Sequence, residues 1–328
     1  MARVVVTGAS GLLGGNLAAL LIADGHQVVA IRRGATKATH LEDLAIEWHS
    51  AELGSVEAMT RAFAGAACVF HCAASVSVKR DVTPEMTAAN VTGTANVIDA
   101  AVAAGVARLV HTSSVVAVGL STDGRPCDET ATWNFEAEGL IDAYAITKRR
   151  AEDVVHAAGA RVDAVIVNPT YMFGPRDARP SSGRLIIDVV RGKIPGWTPG
   201  YNNFVDVRDV ARGMIAAWHR GRRGERYILA GHDMTYGEVM RRIAEAAGVR
   251  PPRFQAPAPV AWMLGKWGDL VERFGGDPTV NSTQIRYAYT DKFRFRSEKA
   301  ARELGYQISP LEPALRDAIA WFRAHAML

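Results

Sequence analysis

Apolar positions in the first half of the chain come in short, almost unbroken runs rich in β-branched residues. Each run is followed by a longer stretch with the three-to-four-residue spacing of an amphipathic helix. The pattern predicts strands over residues 4–6, 27–31, 46–49, 67–71, 108–112 and 162–167, the last broken at Asn168-Pro169. Helices are predicted over 16–22, from a Ser55 cap to about Phe63, over 90–104 and over 142–158. Runs that are apolar at every residue suit strands buried on both faces, and strict alternation with helices makes successive strands parallel. The expected class is α/β, a doubly wound parallel sheet with helices on both faces.

After Gly174-Pro175 the alternation is lost, and prolines at 180, 195, 199, 251, 252, 257 and 259 interrupt shorter segments. A strand at 203–207 and a helix at 208–219 predict a brief return to the main sheet. Further helices are predicted over 236–247, 260–274, 297–304 and 313–324. The expected division is a sheet domain over 1–174, rejoined by 203–222, and a smaller mixed C-terminal substrate region within 175–328.

Between the first strand and the first helix stands Thr7-Gly8-Ala9-Ser10-Gly11-Leu12-Leu13-Gly14. Glycines where the chain turns, where the backbone meets a ligand and where the helix packs back on the strand make a phosphate cradle, with free helix N–H groups facing the anion. This predicts a dinucleotide-binding Rossmann fold with Thr7, Gly8, Ser10, Gly11, Leu12, Leu13 and Gly14 around the pyrophosphate. The second strand ends in Arg32-Arg33-Gly34, without Asp or Glu. A carboxylate there would accept from a free ribose 2′-hydroxyl, whereas guanidinium groups pair with a 2′-phosphate. NADP(H) is therefore favoured, and NAD(H) stays open if one arginine merely stacks on adenine. Glu52 and Leu53 follow the third strand, in position for the adenine edge. Cys72, Ala73 and Ala74 follow the fourth and are small enough to admit a cofactor to the backbone. Thr112 ends the fifth strand, and Asn168, Pro169 and Thr170 end the sixth, completing the strand-end rim where such sheets bind ligands.

Composition narrows the partners. With 328 residues, 48% of them hydrophobic and 22% charged, the chain is an ordinary globular one with length for a large core. No apolar run reaches the roughly 18 residues of a spanning helix, and the first residues lack a signal peptide's order, so a cytoplasmic protein without membrane contact is expected. The net charge of +4 is mild. The one dense basic run, Arg220, Arg222, Arg223 and Arg226, follows a predicted helix and fits its solvated C-terminal end better than a nucleic-acid patch. Cys68, Cys72 and Cys127 form neither a disulfide framework nor a paired metal motif; the Cys68, His71 and Cys72 cluster fits strand packing, so no metal is expected.

The sharpest chemical signal is Tyr144-Ala145-Ile146-Thr147-Lys148, because positions four apart on a helix share a face. A nearby ammonium favours a phenolate, so Lys148 is expected to lower the Tyr144 pKa from its ordinary ~10 and make it a usable proton donor. Lys148 is also placed to hold the nicotinamide ribose, which counts Tyr144 and Lys148 among the cofactor contacts. The competing explanation is a surface pair with Tyr144 half buried. Ser114 supplies a hydroxyl that can hydrogen-bond a substrate oxygen as charge develops on it. Ser113 and Thr112 offer the same chemistry, and a plain turn explains all three equally well. No histidine or carboxylate is placed for a Ser-His-Asp triad. Asn90 is assigned to a helix kink or to a water leading protons to Lys148, with plain helix packing as the alternative. Substrate-side candidates are Val76, Ser77, Lys79, Ser114, Trp133, Phe135, Tyr171, Met172 and Phe173. Their largely apolar character points to a hydrophobic or aromatic small-molecule substrate, with ordinary core lining as the competing explanation.

Taken in order, the Thr7 to Gly14 turn, Phe70-His71-Cys72-Ala73-Ala74, Asn90-Val91-Thr92-Gly93-Thr94, Ser113-Ser114 and Tyr144-x-x-x-Lys148 resemble the motifs of the extended short-chain dehydrogenase/reductase superfamily, the NAD-dependent epimerase/dehydratase family. Residues 203–211, 295–300 and 304–306 resemble its later segments, so the resemblance spans nearly the whole chain. Val115-Val116 stand where sugar-nucleotide dehydratases carry an extra acid and base. Tyr171 stands where epimerases usually carry a nucleotide-sugar-binding Asn before Gly174-Pro175. Arg32 and Val167-Asn168-Pro169-Thr170 are more similar to dihydroflavonol reductase-like and 3β-hydroxysteroid dehydrogenase-like members, and 168–191 is also similar to the hopanoid-associated sugar epimerase branch. The resemblance implies an NAD(P)-dependent oxidoreductase in which hydride passes between nicotinamide and a carbonyl carbon. Tyr144 would give the proton, Lys148 tune it and Ser114 orient the oxygen. It also implies a homodimer through a seam of the 90–104 and 142–158 helices. Two other readings stand beside it: a sugar-nucleotide epimerase that holds its NAD through each turnover, and a non-catalytic NADP-sensing protein that keeps the fold.

Overall fold

The β-branched runs become a seven-stranded parallel sheet, and the amphipathic segments become helices on its two faces. The structure is a computed structural model and describes residues 1–34, 38–76, 81–276 and 280–328. The first half comprises β1 (Arg3–Thr7), α1 (Leu12–Ala23), β2 (Gln27–Arg32), β3 (Ile46–Ser50), α2 (Val56–Phe63), β4 (Cys68–His71), α3 (Pro84–Thr87), a π-helical turn (Ala88–Thr92), α4 (Gly93–Ala103), β5 (Arg108–Thr112), α5 (Ala143–Ala157) and β6 (Ala164–Pro169). There follow β7 (Tyr171–Phe173), α6 (Gly183–Val190), β8 (Gly196–Trp197), β9 (Tyr201–Asp206), α7 (Val207–Arg220), β10 (Arg226–Leu229), β11 (His232–Thr235), α8 (Tyr236–Ala247), β12 (Phe254–Gln255), α9 (Ala258–Arg273), α10 (Ser282–Tyr289), α11 (Glu298–Leu304) and α12 (Leu311–Ala324).

The large sheet runs β10-β6-β5-β4-β1-β2-β3. Strand order reverses between β1 and β4, which opens a crevice at their C-terminal ends. Successive side chains alternate in face: Val4, Val6, Val110 and Val167 pack towards α1 and α7, while Val5, Val69, Leu109 and Ile166 pack towards α2, α4 and α5. A second core joins β7 and β9 to α6, α8 and α12. Among the described residues no helix is long and apolar enough to cross a membrane.

Three expectations about strands are corrected. β6 is not broken at Asn168-Pro169 but runs through both, with Pro169 opposite Leu229 on the last rung, where a missing N–H weakens only the end of the ladder. The strand over 203–207 does not rejoin the large sheet; β9 lies between β7 and β11 in a separate three-stranded sheet. The return is made instead by α7, whose Val210 and Met214 enter the large core, and by β10. β10 was concealed in the basic run: Arg226 opens it, and Tyr227, Ile228 and Leu229 are fully buried. Four residues are too few for periodicity to register.

The cradle glycines are demanded by packing as well as by any ligand. Gly8 has φ +71°, and a Cβ there would lie 2.6 Å from the Ala73 nitrogen. A Cβ at Gly14 would run into the Gly8 carbonyl. Gly8→Ala should therefore destabilise the fold by about 2 kcal/mol or more, from left-handed backbone strain and displacement of the segment that follows β4. Chemical denaturation would read this, and an unchanged midpoint would contradict it.

Candidate active site

The cradle sits at the C-terminal end of β1. Gly11 is the N-cap of α1 and offers no side chain, so the first-turn N–H groups lack a side-chain acceptor, and Ser10 and Gly11 are exposed above them. Asn16 in α1 donates to the Pro175 carbonyl at 2.8 Å, fastening the cradle helix to the chain that leaves β7.

Beneath the cradle, the donors and acceptors have one consistent direction. The Ala73 N–H donates to Thr7 Oγ1 at 3.3 Å, and Thr7 Oγ1 lies 2.7 Å from His71 Nδ1. His71 Nε2 lies 3.2 Å from Thr94 Oγ1, which donates to the Asn90 carbonyl at 2.7 Å. Since Thr94 spends its proton on Asn90, His71 donates from Nε2 and accepts from Thr7 at Nδ1. Burial, assisted by the Lys148 charge, holds His71 down to about 3, so it stays neutral.

Asn90 lies within the π turn and is 2% exposed. Its Oδ1 accepts from the Ser75 N–H at 2.7 Å, and its Nδ2 donates to the Ser75 carbonyl and to Thr147 Oγ1 at 2.9 and 3.0 Å. The expected kink is present as the π turn. The amide is engaged by Ser75 and Thr147, so Asn90 joins the strand end of β4 to α5.

Around the rim, Arg32 lies over the Trp48 ring, 5.6 Å from its centroid, and Arg33 is exposed. Glu52 is exposed, and the Leu53 carbonyl accepts from Asn96 at 2.8 Å. Thr112 turns its hydroxyl to Cys72 Sγ at 3.5 Å and Met214 Sδ at 3.9 Å, leaving its carbonyl on the site side. Asn168 is fully buried, and Thr170 is 7% exposed. Asn168 Oδ1 and Thr170 Oγ1 are buried without a hydrogen-bond partner in the chain. Glycine cradle, uncapped helix start and an orphaned hydroxyl beyond β6 together fit an anionic dinucleotide lying along the strand ends.

Asp142 caps α5 by accepting from the Ala145 N–H at 2.7 Å, which starts the helix at Ala143, one residue before Tyr144. Lys148 is 4% exposed and donates to the Thr112 carbonyl at 2.8 Å. Its Nζ lies 5.9 Å from the Tyr144 ring centroid. Burial pushes the Tyr144 phenol up to about 12; a hydrogen bond with Ser114 pulls it back, and Asp142 adds to the rise. The expected lowering by Lys148 is corrected here: in the chain by itself burial dominates, and the groups that modulate it are Ser114 and Asp142. Lys148 in turn is drawn down to about 8 by burial, against the opposing pull of Cys72 and Glu152.

The next rung of this face escaped the sequence reading. Glu152, fully buried, accepts from Ser113 Oγ at 2.6 Å, from Asn168 Nδ2 at 2.9 Å and from Arg226 Nη1 at 3.0 Å. Burial pushes its carboxyl up, but hydrogen bonds from His156, Ser113 and Asn168 and the Arg226 charge hold it below the ordinary carboxylate range. Asn168 also donates to the Ser114 carbonyl at 2.9 Å, so this cluster sets the turn that presents Ser114. Arg226 is thus no solvated helix end, as its basic run suggested, but a half-buried cation paired with the buried Glu152. The four-residue step from Tyr144 and Lys148 to Glu152 was the available signal.

On the substrate side, Phe135 and Phe173 are fully buried and are corrected to core residues. Phe135 packs with Val118 and Phe293, and Phe173 stacks on Phe204 at 5.7 Å. Trp133 is half-buried, stacked 6.0 Å from Phe135 with Nε1 donating to the Val116 carbonyl at 2.8 Å. Tyr171 and Met172 are half-buried on β7, Tyr171 donating to the Ser182 carbonyl at 3.3 Å. Val76 is 56% exposed beyond β4. Ser77 and Lys79 lie outside the described residues. Among the described residues no group of three His, Cys, Asp or Glu side chains is arranged to hold a metal ion.

Lys148→Met should be more stable than the wild type by roughly 2 kcal/mol at pH 7. A fall from 10.5 to about 8 costs roughly 3 kcal/mol of burial, offset by about 1 for the bond to Thr112. Between those two pH values the unfolded chain binds more protons than the folded one, so wild-type stability rises with pH and the gap closes from about 8 to 10.5. Denaturant titrations across that range test this; a gap independent of pH would contradict it.

The pattern that defines the NAD dependent epimerase/dehydratase family matches residues 4–230. A putative dihydroflavonol 4-reductase of Synechocystis sp. is 33% identical over 98% of this chain and 94% of its own. Sterol demethylase protein B of Methylococcus capsulatus is 35% identical over 99% of each chain. Among solved structures, gox2253 is similar over 100% of both chains, with a TM-score of 0.85 and 34% identity. With the cradle at the switch point of a parallel sheet and Tyr144 and Lys148 facing its strand ends, the chain belongs to the NAD-dependent epimerase/dehydratase family and is an NAD(P)-dependent enzyme of the extended short-chain dehydrogenase/reductase type.

Proposed function

We propose that this enzyme reduces the carbonyl of an apolar or aromatic ketone or aldehyde with NADPH, or runs the reverse oxidation of a secondary alcohol. The bound cofactor supplies or takes up the hydride. The observation that carries the reading is the convergence of the Tyr144 phenol and the Ser114 hydroxyl at the end of β5, with Lys148 fixed beside them by the Thr112 carbonyl. Ser114 hydrogen-bonds the substrate oxygen, and Tyr144 gives it the proton. A phenol raised to about 12 keeps that proton at neutral pH until charge develops on the acceptor. Lys148 then stabilises the phenolate left behind.

Arg33, exposed beyond β2, and Arg32, held over Trp48, support a 2′-phosphate partner and hence NADP(H). Trp133, Tyr171 and Val76 support an apolar substrate, as do relatives whose names refer to dihydroflavonol reduction and sterol demethylation. The family's other activity, epimerisation through a retained cofactor, is the second reading. It predicts protein purified with its dinucleotide and product formation without net change in reduced-cofactor absorbance.

Tyr144→Phe should lower kcat for carbonyl reduction by about 10²–10⁴-fold while leaving NADPH affinity within about twofold. Near-normal turnover in a folded variant would remove Tyr144 from the role. Arg33→Ala should weaken NADPH binding by about 10–100-fold and leave NADH unchanged, measured by fluorescence titration. Equal losses for both cofactors would refute the 2′-phosphate assignment.

A further inference from the structure

Helix α9 is inside out. Its small residues Ala261, Gly265 and Gly268 face the protein, and a Cβ at Gly268 would run into the Val280 carbonyl. Its large apolar side chains face away: Val260 is 48% exposed, Met263 65%, Leu264 52%, Trp267 65% and Leu270 43%, and Phe274 just beyond the helix is 82% exposed. Their spacing places all six on one stripe. A continuous apolar stripe of this size marks an interaction surface.

The charges around it identify the partner. Both carboxylates of α9 are half-buried and engaged by the start of α10, Asp269 accepting from the Ser282 N–H at 2.9 Å and Glu272 from Asn281 Nδ2 at 3.3 Å. Lys266 and Arg273 are exposed beside the stripe, and Arg253 is exposed ahead of it. Among the described residues of this helix, the fully exposed charged side chains are therefore the cations, and the two anions are partly withdrawn. A stripe containing Trp, Met and Leu, flanked by the exposed Lys266 and Arg273, is complementary to an anionic lipid surface.

We propose that α9 docks this enzyme on an anionic membrane surface, lying in the headgroup plane with the stripe from Val260 to Phe274 inserted. The expectation of no membrane contact came from the lack of a spanning run, and a helix lying in the interface needs none. The docked face is one helix from the chemistry: α10 packs on α9, with Tyr287 donating to the Leu140 carbonyl at 2.6 Å and Arg286 to the Gly139 carbonyl at 2.9 Å, in the segment that leads into Tyr144.

The test is co-sedimentation of the full chain with vesicles of phosphatidylcholine mixed with phosphatidylglycerol and with phosphatidylcholine alone, with light scattering in parallel. The wild type should pellet with the mixed vesicles. Leu264→Asp with Trp267→Asp should reduce that binding about tenfold or more without changing the melting temperature. Lys266→Glu with Arg273→Glu should abolish the preference for anionic lipid. Three results would each overturn the proposal: no wild-type binding to the mixed vesicles, binding indifferent to the Leu264 and Trp267 pair, or a wild-type dimer that this pair converts to monomer while vesicle binding is absent. The last would give the stripe to a second copy.

Discussion

Three rungs of one helix face hold three consecutive residues at the end of β5, and the site depends on that match. Tyr144, Lys148 and Glu152 lie four residues apart on α5; they meet Ser114, the Thr112 carbonyl and Ser113 in turn. Two of these rungs are buried ions, each costing several kcal/mol to bring out of water. Lys148 recovers part through the Thr112 carbonyl, and Glu152 recovers more through Arg226, Ser113 and Asn168. A buried carboxylate stripped of its cation costs about 3–5 kcal/mol, so Arg226 on β10 is needed for a turn it never touches.

The hydroxyl-imidazole chain under the cradle extends this coupling. Each hydrogen bond from Ala73 through Thr7, His71 and Thr94 to the Asn90 carbonyl has a fixed donor, because the last acceptor has no proton to give. A network with one consistent direction cannot flip piecemeal. Asn90 then passes the constraint to Thr147, the neighbour of Lys148. The π turn supplies the extra residue that lets the Asn90 amide reach both Ser75 and α5. The glycine cradle and the Tyr144 and Lys148 face of α5 are thus parts of one framework.

Much of this was legible in the sequence where burial and local geometry coincide. Most of the parallel strands carry short apolar, β-branched runs, so six of the seven in the large sheet stand out, and glycine spacing locates the cradle. Tyr144 and Lys148 were legible because a four-residue step is a local property. Glu152 stands at the same step but depends on Arg226, 74 residues away on a strand of only four residues. Phe135 and Phe173 lie beside the motifs and so resembled lining, yet cross-chain contacts with Phe293 and Phe204 place them in the core. The direction of the Tyr144 pKa shift differs from the sequence expectation for a related reason. A sequence shows the charge four residues away but not the depth at which the phenol is buried.

Helix α9 shows a deeper limit of periodicity. Its spacing identifies an apolar face, and the ordinary inference assigns such a face to the core. Here the opposite face won, because the Val280 carbonyl approaches so closely that only a glycine fits at 268, and Gly265 packs tightly on Ser282. Close approach of two helices through small residues gains dispersion contacts all along the seam. It also leaves the large side chains in water, forgoing about 25 cal/mol for each Å² of apolar surface that burial would have removed. An isolated chain could lower its free energy by rotating this helix, were the glycine seam not better packed than a seam of Leu and Trp against the same backbone. The face that stays outside is therefore fixed by packing within the fold, and its apolar character becomes favourable only against something that is not water.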